Sequence, residues 1–139
     1  MTNFPHLFPV RVYYEDTDFS GAVYHANYLR FMERGRTELL RSLGVHQGQA
    51  LGAAHGEAFG FVVRRMEIDF LKPARMDDEL IVETTPMKVG GASIDLNQRV
   101  LRDGEVLVTA QVRVGCVVGG RAGRLPAEVR RKLGHSAQG

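Results

Sequence analysis

The 139 residues are 44% hydrophobic and 24% charged with a net charge of +2, ordinary values for one soluble globular domain (1–139) that can bury a core without staples. A single cysteine, Cys116, excludes an internal disulfide framework, and its apolar setting VRVGCVVGG predicts a buried thiol rather than a reactive one. The start MTNFPHLFPV lacks a basic stretch followed by a continuous apolar run, and no segment approaches the roughly 18 apolar residues of a membrane span, so the chain is read as cytoplasmic.

Phe8 to Glu15 reads as a first strand, with Val10, Val12 and Tyr14 on one face of a period-2 pattern. The segment DTDFSGAVYHA then forms a loop with a turn at Ser20-Gly21. From Asn27 the spacing becomes helical: Tyr28, Phe31, Met32, Gly35, Leu39, Leu40 and Leu43 form one stripe. Asn27 suits an N-cap, and Gly44 suits a helix stop. Gly35 inside the stripe costs about 1 kcal/mol relative to alanine, which makes sense where another backbone must approach closely.

Residues 45–60 are rich in Gly and Ala without a sustained period, and read as a loop with a short helix. Phe61 to Leu71 alternates as a strand, with Val62, Met66, Ile68 and Phe70 facing one way and Arg65, Glu67 and Asp69 the other. After a turn at 72–78, Leu80 to Lys88 and Ile94 to Leu101 are strands joined at Gly90-Gly91. Asp103-Gly104 then marks a hairpin into Val106 to Val118. Pro126 to Leu133 reads as a short helix with proline at its first position. One long helix against five antiparallel strands is an α+β two-layer arrangement. Its second sheet face is expected to be covered by another subunit.

The chemistry concentrates in YYEDTDFSGAVYHANY. A carboxylate held in a turn that feeds a helix N-terminus sits beside unpaired N–H groups and a positive dipole end, a setting suited to attack on a carbonyl. Asp16 and Asp18 could instead both be turn formers that bond local amides, and His25 a packed loop residue. The other histidines show no metal-ligand spacing, so no metal site is expected. The pI is about 8.9. Arg121, Arg124, Arg130, Arg131 and Lys132 face only Glu128 as a local acid. That tail is a solvated helix face, or a contact for a phosphate or an acidic protein. Nucleic acid is not expected, since no aromatic residues interleave.

The run YYEDTDFSGAVYHANYLRFMERGRTELLRSLG, followed by FVVRRMEIDFLKPARMDDEL, resembles the 4-hydroxybenzoyl-CoA thioesterase family of hotdog-fold proteins, and within it the Tol–Pal-associated acyl-CoA thioesterases. The resemblance implies a hotdog fold, a long helix wrapped by a five-stranded antiparallel sheet, assembling as a homodimer or homotetramer. It implies hydrolysis of acyl-CoA without a cofactor, on a short acyl chain or one carried by acyl-carrier protein. It makes Asp18 the catalytic carboxylate, with the backbone N–H and side chain of His25 assisting. The implied substrate wall comprises Gly21, Val23, Tyr24, Asn27 and Tyr28, together with Phe61, Val62 and Val63 from the neighbouring subunit. The hairpin Val89-Gly90-Gly91-Ala92 lacks the basic cluster that meets CoA phosphates in an aromatic-specific member, which leaves Arg64, Arg65, Lys88 or the basic tail as phosphate contacts. A hotdog hydratase and a non-catalytic acyl- or protein-binding module are the competing readings.

Overall fold

The computed structural model describes residues 4–45 and 59–138, with side chains described as far as Gly134. The expected loop and short helix at 45–60 lie almost wholly outside the described residues. Strand β1 (His6–Arg11) is followed by a 3-10 turn (Tyr14–Asp16) and then helix α1 (His25–Ser42). Strands β2 (Phe59–Phe70), β3 (Glu79–Val89), β4 (Ser93–Arg102), β5 (Glu105–Val118) and β6 (Arg121–Ala122) come next, and helix α2 (Ala127–Gln138) ends the fold. The sheet is antiparallel in the order β1-β3-β4-β5-β2, with β6 paired to β5. It wraps α1, as the resemblance implies.

The core lies between α1 and one sheet face: Phe31, Met32 and Leu39 meet Leu80, Val82, Val100, Val108 and Val112, all nearly inaccessible to water. Gly35 shows why the helix sits so low on the sheet. A Cβ there would stand 2.7 Å from Val82 Cγ1 and 3.4 Å from both Gln98 Nε2 and Thr84 Oγ1. The buried Gln98 amide uses this closeness, donating to the Met32 carbonyl (2.9 Å) and Thr84 Oγ1 (2.9 Å) while accepting from Arg36 (2.9 Å). Its polar atoms are therefore satisfied inside the core.

Five expectations are corrected. The first strand ends at Arg11, because the Asp16 carboxylate accepts the Tyr13 N–H (2.8 Å) and turns the chain; Tyr14 is 81% exposed and does not share a face with the buried Val10 and Val12. Helix α1 begins at His25, with Tyr24 as N-cap and no side-chain cap. The Asn27 side chain donates instead to the Asp16 carbonyl (2.7 Å). The alternation of β2 breaks at a bulge between Val63 and Arg65. The extra residue moves Val62 to the other face, so that Phe61 and Val63 join Met66 against the helix side. The bulged Arg64 lays its side chain over Gly115 on β5, where a Cβ would lie 2.6 Å from Arg64 Cδ.

The fourth correction is a sixth strand, reached through Gly119 and Gly120, both at positive φ. The fifth concerns the outer sheet face. Much of it is polar, a lattice of Glu83–Arg99, Asp95–Arg113 and Arg65–Glu67 pairs across and along the strands, with the apolar Leu7 and Ile81 exposed beside it on β1 and β3. The hairpins at Gly90-Gly91 and Asp103-Gly104 are as expected. Asp103 (φ 51°) and Gly104 (φ 80°) adopt the two positive angles of a type I′ turn, which matches the strand twist. Helix α2 starts one residue after Pro126, whose carbonyl accepts the Arg130 N–H (3.0 Å), and runs beyond Leu133.

Candidate active site

Residues 16–24 form a small closed loop on the sheet end where β2 finishes. Thr17 pairs with Val23, and the Asp18 N–H donates to the Ala22 carbonyl (2.9 Å). The loop tip is a β-turn in which Gly21 donates to the Asp18 carbonyl (3.0 Å), with Gly21 at φ 85°. The loop is held from outside where the Val23 N–H donates to the Ala74 carbonyl (2.9 Å), and closed at its base where the Tyr24 N–H donates to the Asp16 carbonyl (3.0 Å). Tyr28 completes the clamp, its buried hydroxyl accepting the Ala74 N–H (2.9 Å).

The two aspartates separate by role. Asp16 faces its own backbone, tying Tyr13 and Asn27, as a turn former does. Asp18 is exposed at the turn. Its Oδ1 accepts the Ser20 hydroxyl and the Ser20 N–H (2.8 Å). The Ser20 hydroxyl and then its amide hold the Asp18 carboxyl below the usual carboxylate range; slight desolvation opposes them, and the Ala22 amide and the nearby His25 reinforce them. Asp18 is therefore a carboxylate at neutral pH, positioned by a hydroxyl, with Oδ2 outside both Ser20 bonds.

His25 is the first residue of α1, and its imidazole stands edge-on to Phe70 of β2, ring centroids 4.9 Å apart. The helix start is open. Tyr24 provides no side-chain cap, Asn27 N–H donates to the Tyr24 carbonyl (2.9 Å), and the amides of His25 and Ala26 have no backbone acceptor among the described residues. Two donors and the positive end of an 18-residue helix thus point outward a few residues after Asp18.

The remaining positions divide. Gly21 and Tyr24 are accessible, whereas Val23, Asn27 and Tyr28 are buried and hold the loop and helix start from within. Phe61 and Val63 line an apolar cavity of about 350 Å³ between α1 and the sheet, with Leu29, Leu40 and Met66 beside them and Arg30, Glu33 and Arg36 among its polar residues. None of residues 16–28 reaches that cavity. Val62 is 49% exposed. Arg65 is bonded to Glu67, and both lie with Lys88 and Asp95 in a dent on the outer face, apart from that cavity. Arg64 lies over Gly115.

Two contributors escape a reading by motif. Ser20 orients Asp18, and the Asp-x-Ser spacing of a side-chain-bonded turn is the signal that points to it. Phe70 abuts His25 only through the fold. Among the described residues no three His, Cys, Asp or Glu side chains converge as a metal site would require, and no helix is long and apolar enough to cross a membrane.

This arrangement can set an ionised carboxylate against a carbonyl polarised by helix amides. Residues 12–133 match the thioesterase-like superfamily. The chain belongs to that family. It is 45% identical over 130 residues to an acyl-CoA thioesterase, YbgC, of Haemophilus influenzae, covering 92% of this chain and 93% of that one. An acyl-CoA thioester hydrolase YbgC of Escherichia coli is 44% identical, covering 78% of this chain and 79% of its own. The crystal structure of a probable thioesterase from Bartonella henselae superposes with a TM-score of 0.85 at 44% identity, covering 88% of this chain and 99% of that one. The wrapped helix is thus the hotdog fold.

Proposed function

We propose that the chain hydrolyses acyl-CoA thioesters, with Asp18 as the reacting carboxylate and the open amides at the start of α1 as the oxyanion donors. One observation carries this reading: a carboxylate kept ionised by Ser20 stands beside a helix N-terminus whose first amides have no acceptor. Oδ2 of Asp18 either attacks the thioester carbon, giving an anhydride that water opens, or takes a proton from the attacking water. In both routes water supplies the new oxygen, the C–S bond breaks, and the thiolate leaves with its electron pair and is protonated. Each aligned donor to the developing oxyanion contributes roughly 3 kcal/mol in comparable sites. The names of the Haemophilus and Escherichia relatives support acyl-CoA as substrate.

The acting form is a homodimer, itself able to build a tetramer. Strand β2 is a twelve-residue edge of the sheet, bearing half-exposed Val62, Val63 and Phe70, and an edge of that length calls for cover. A twofold axis pairs two such edges antiparallel. The partner's Phe59–Val63 end then lies beside this subunit's Phe70 and His25, and the partner's apolar cavity becomes the acyl pocket for this Asp18. A non-catalytic acyl-binding module would have no use for an ionised carboxylate held beside open amide donors.

The test is thiol release from acyl-CoAs of graded chain length and from an aroyl-CoA, with hydration of crotonyl-CoA followed in parallel. Asp18→Asn retains an acceptor for Ser20 and should stay folded while kcat drops at least about a hundredfold; Asp16→Asn should cost far less. A dominant Asp16, or hydration without thiol release, refutes the assignment.

A further inference from the structure

The cavity between α1 and the sheet holds one side chain that apolar packing does not account for. Leu40, Val63, Met66, Leu96 and Val114 give it walls suited to a hydrocarbon chain. Three charged residues of α1 also line it: Arg30, Glu33 and Arg36. They are not equivalent. Arg30 and Glu33 are exposed and also border a second dent, with Phe8 and Arg34, so they stand at the rim. Arg36 is half-buried and borders the cavity but not that dent.

Arg36 is held at a fixed depth. Its Nη1 donates to Gln98 Oε1 (2.9 Å), and Gln98 is fixed in turn by its bonds to the Met32 carbonyl and Thr84 Oγ1. That anchor lies well inside: Gln98 is four residues along β4 from Ile94, which lines the cavity nearer the β3–β4 hairpin, about 13 Å at the ordinary strand rise. A guanidinium carries several N–H donors, and here one is used. Among the described residues the others meet no acceptor, and no carboxylate pairs with the group. Elsewhere guanidinium groups meet carboxylates directly: Arg99 with Glu83, Arg102 with Asp78, Arg113 with Asp95. Burial pushes the Arg36 guanidinium below the ordinary arginine value, with the charge of Glu33 opposing; an arginine nevertheless stays cationic. A cation drawn out of water beside an apolar space, with no carboxylate in contact, is unfavourable until an anion enters.

We propose that Arg36 receives the far carboxylate of a dicarboxylic acyl group, so that the preferred thioesters carry a carboxylate at the end of the acyl chain; the inference rests on the thioesterase reading. The chain enters between Phe61 and Val63, its methylenes lie on Met66 and Leu96, and its carboxylate meets the free edge of the guanidinium, whose planar fork matches it. Arg30 and Glu33 offset each other in charge at the rim. A plain acyl chain of the same length would bring a methyl group against Arg36 and leave the cation unpaired. A site built to bond a polar group discriminates against an analogue lacking it more strongly than a pocket that only measures methylenes.

The experiment measures kcat/KM on the full chain for succinyl-, glutaryl- and adipyl-CoA against butyryl-, valeryl- and hexanoyl-CoA, with 6-hydroxyhexanoyl-CoA as a neutral polar control, and titrates adipate and hexanoate by calorimetry. CoA is common to all the thioesters, so each ratio isolates the far end of the acyl group. In the wild type at least one dicarboxylic thioester should exceed its plain counterpart by about tenfold or more, the scale of a charged hydrogen bond. Arg36→Gln keeps a donor for Gln98 without the charge and should lower that ratio at least about tenfold; Arg36→Lys, a charge without the fork, should fall between. An equal fall on both kinds of thioester would leave Arg36 as a support for Gln98 alone and overturns the proposal. So does an equal gain for the hydroxyacyl control, or a preference abolished by Arg30→Gln and kept by Arg36→Gln. The wild-type ratios decide the matter even where a variant does not fold: hexanoyl-CoA cleaved with no dicarboxylic thioester favoured sinks the proposal and leaves the thioesterase reading standing. If adipate binds about tenfold tighter than hexanoate, loses that advantage in Arg36→Gln, and no thioester releases thiol, the site stands and the thioesterase reading fails.

Discussion

Replacing Gly35 by alanine tests the closest approach in the fold, because two opposed effects meet at one atom. In an isolated helix the change stabilises by about 1 kcal/mol. Here the new methyl would stand 2.7 Å from Val82 Cγ1, and ordinary contact begins near 3.4 Å, so helix and strand must part by about 0.7 Å. Val82 is β-branched and fully buried on a strand paired on both sides, so it has nowhere to turn. Overpacking of this kind costs about 1–3 kcal/mol. The shift also lengthens the bonds from Gln98 to Met32 and Thr84, and a buried polar group left unpaired costs a further 1–3 kcal/mol or so. Packing therefore wins, and Gly35→Ala should destabilise by about 2–3 kcal/mol, lowering the thermal midpoint by roughly 6–12 °C for a domain of this size. Calorimetry at one fixed protein concentration, which holds assembly constant, measures it. A midpoint equal to or above wild type would refute the close-approach explanation of this glycine.

Ser20→Ala removes the foremost cause of the lowered Asp18 ionisation, so the acidic limb of the kcat profile should move to higher pH while activity at neutral pH changes little; a limb that stays in place detaches Ser20 from Asp18. The sign follows from a depressed carboxyl: the working anion persists down to its lowered pKa, and losing a donor raises that pKa. His25→Ala keeps the peptide donor but removes the imidazole against Phe70. A fall in kcat approaching a hundredfold is expected if the ring handles protons, and wild-type behaviour assigns the work to Asp18 and the amides alone. Val62→Lys on the exposed edge of β2 should dissociate the proposed dimer in sedimentation and abolish thiol release together. An active monomer would contradict the shared site.

The repeat periods, the Gly90-Gly91 and Asp103-Gly104 hairpins, the stripe from Tyr28 to Leu43 and the tight loop with two aspartates are legible in the letters. Each depends on local rules: side-chain period, positive φ at a turn, a carboxylate two residues from a hydroxyl. The true start of α1 is not legible, because Tyr24 carries no capping chemistry and the side chain with that chemistry, Asn27, is drawn to the Asp16 carbonyl. The reversal of facing within β2 is hidden for a related reason. The bulge at Arg64 lays that side chain over Gly115 of another strand, a contact that the letters of β2 do not show. Composition alone reveals a basic tail. That three of its arginines converge on one dent, while Lys132 turns to Glu128 and to the Leu43 carbonyl, is decided by how α2 packs on the β3–β4 hairpin. Local chemistry dictates which elements form and where a carboxylate is exposed; convergence of residues distant in sequence depends on packing, which no single stretch of the chain encodes.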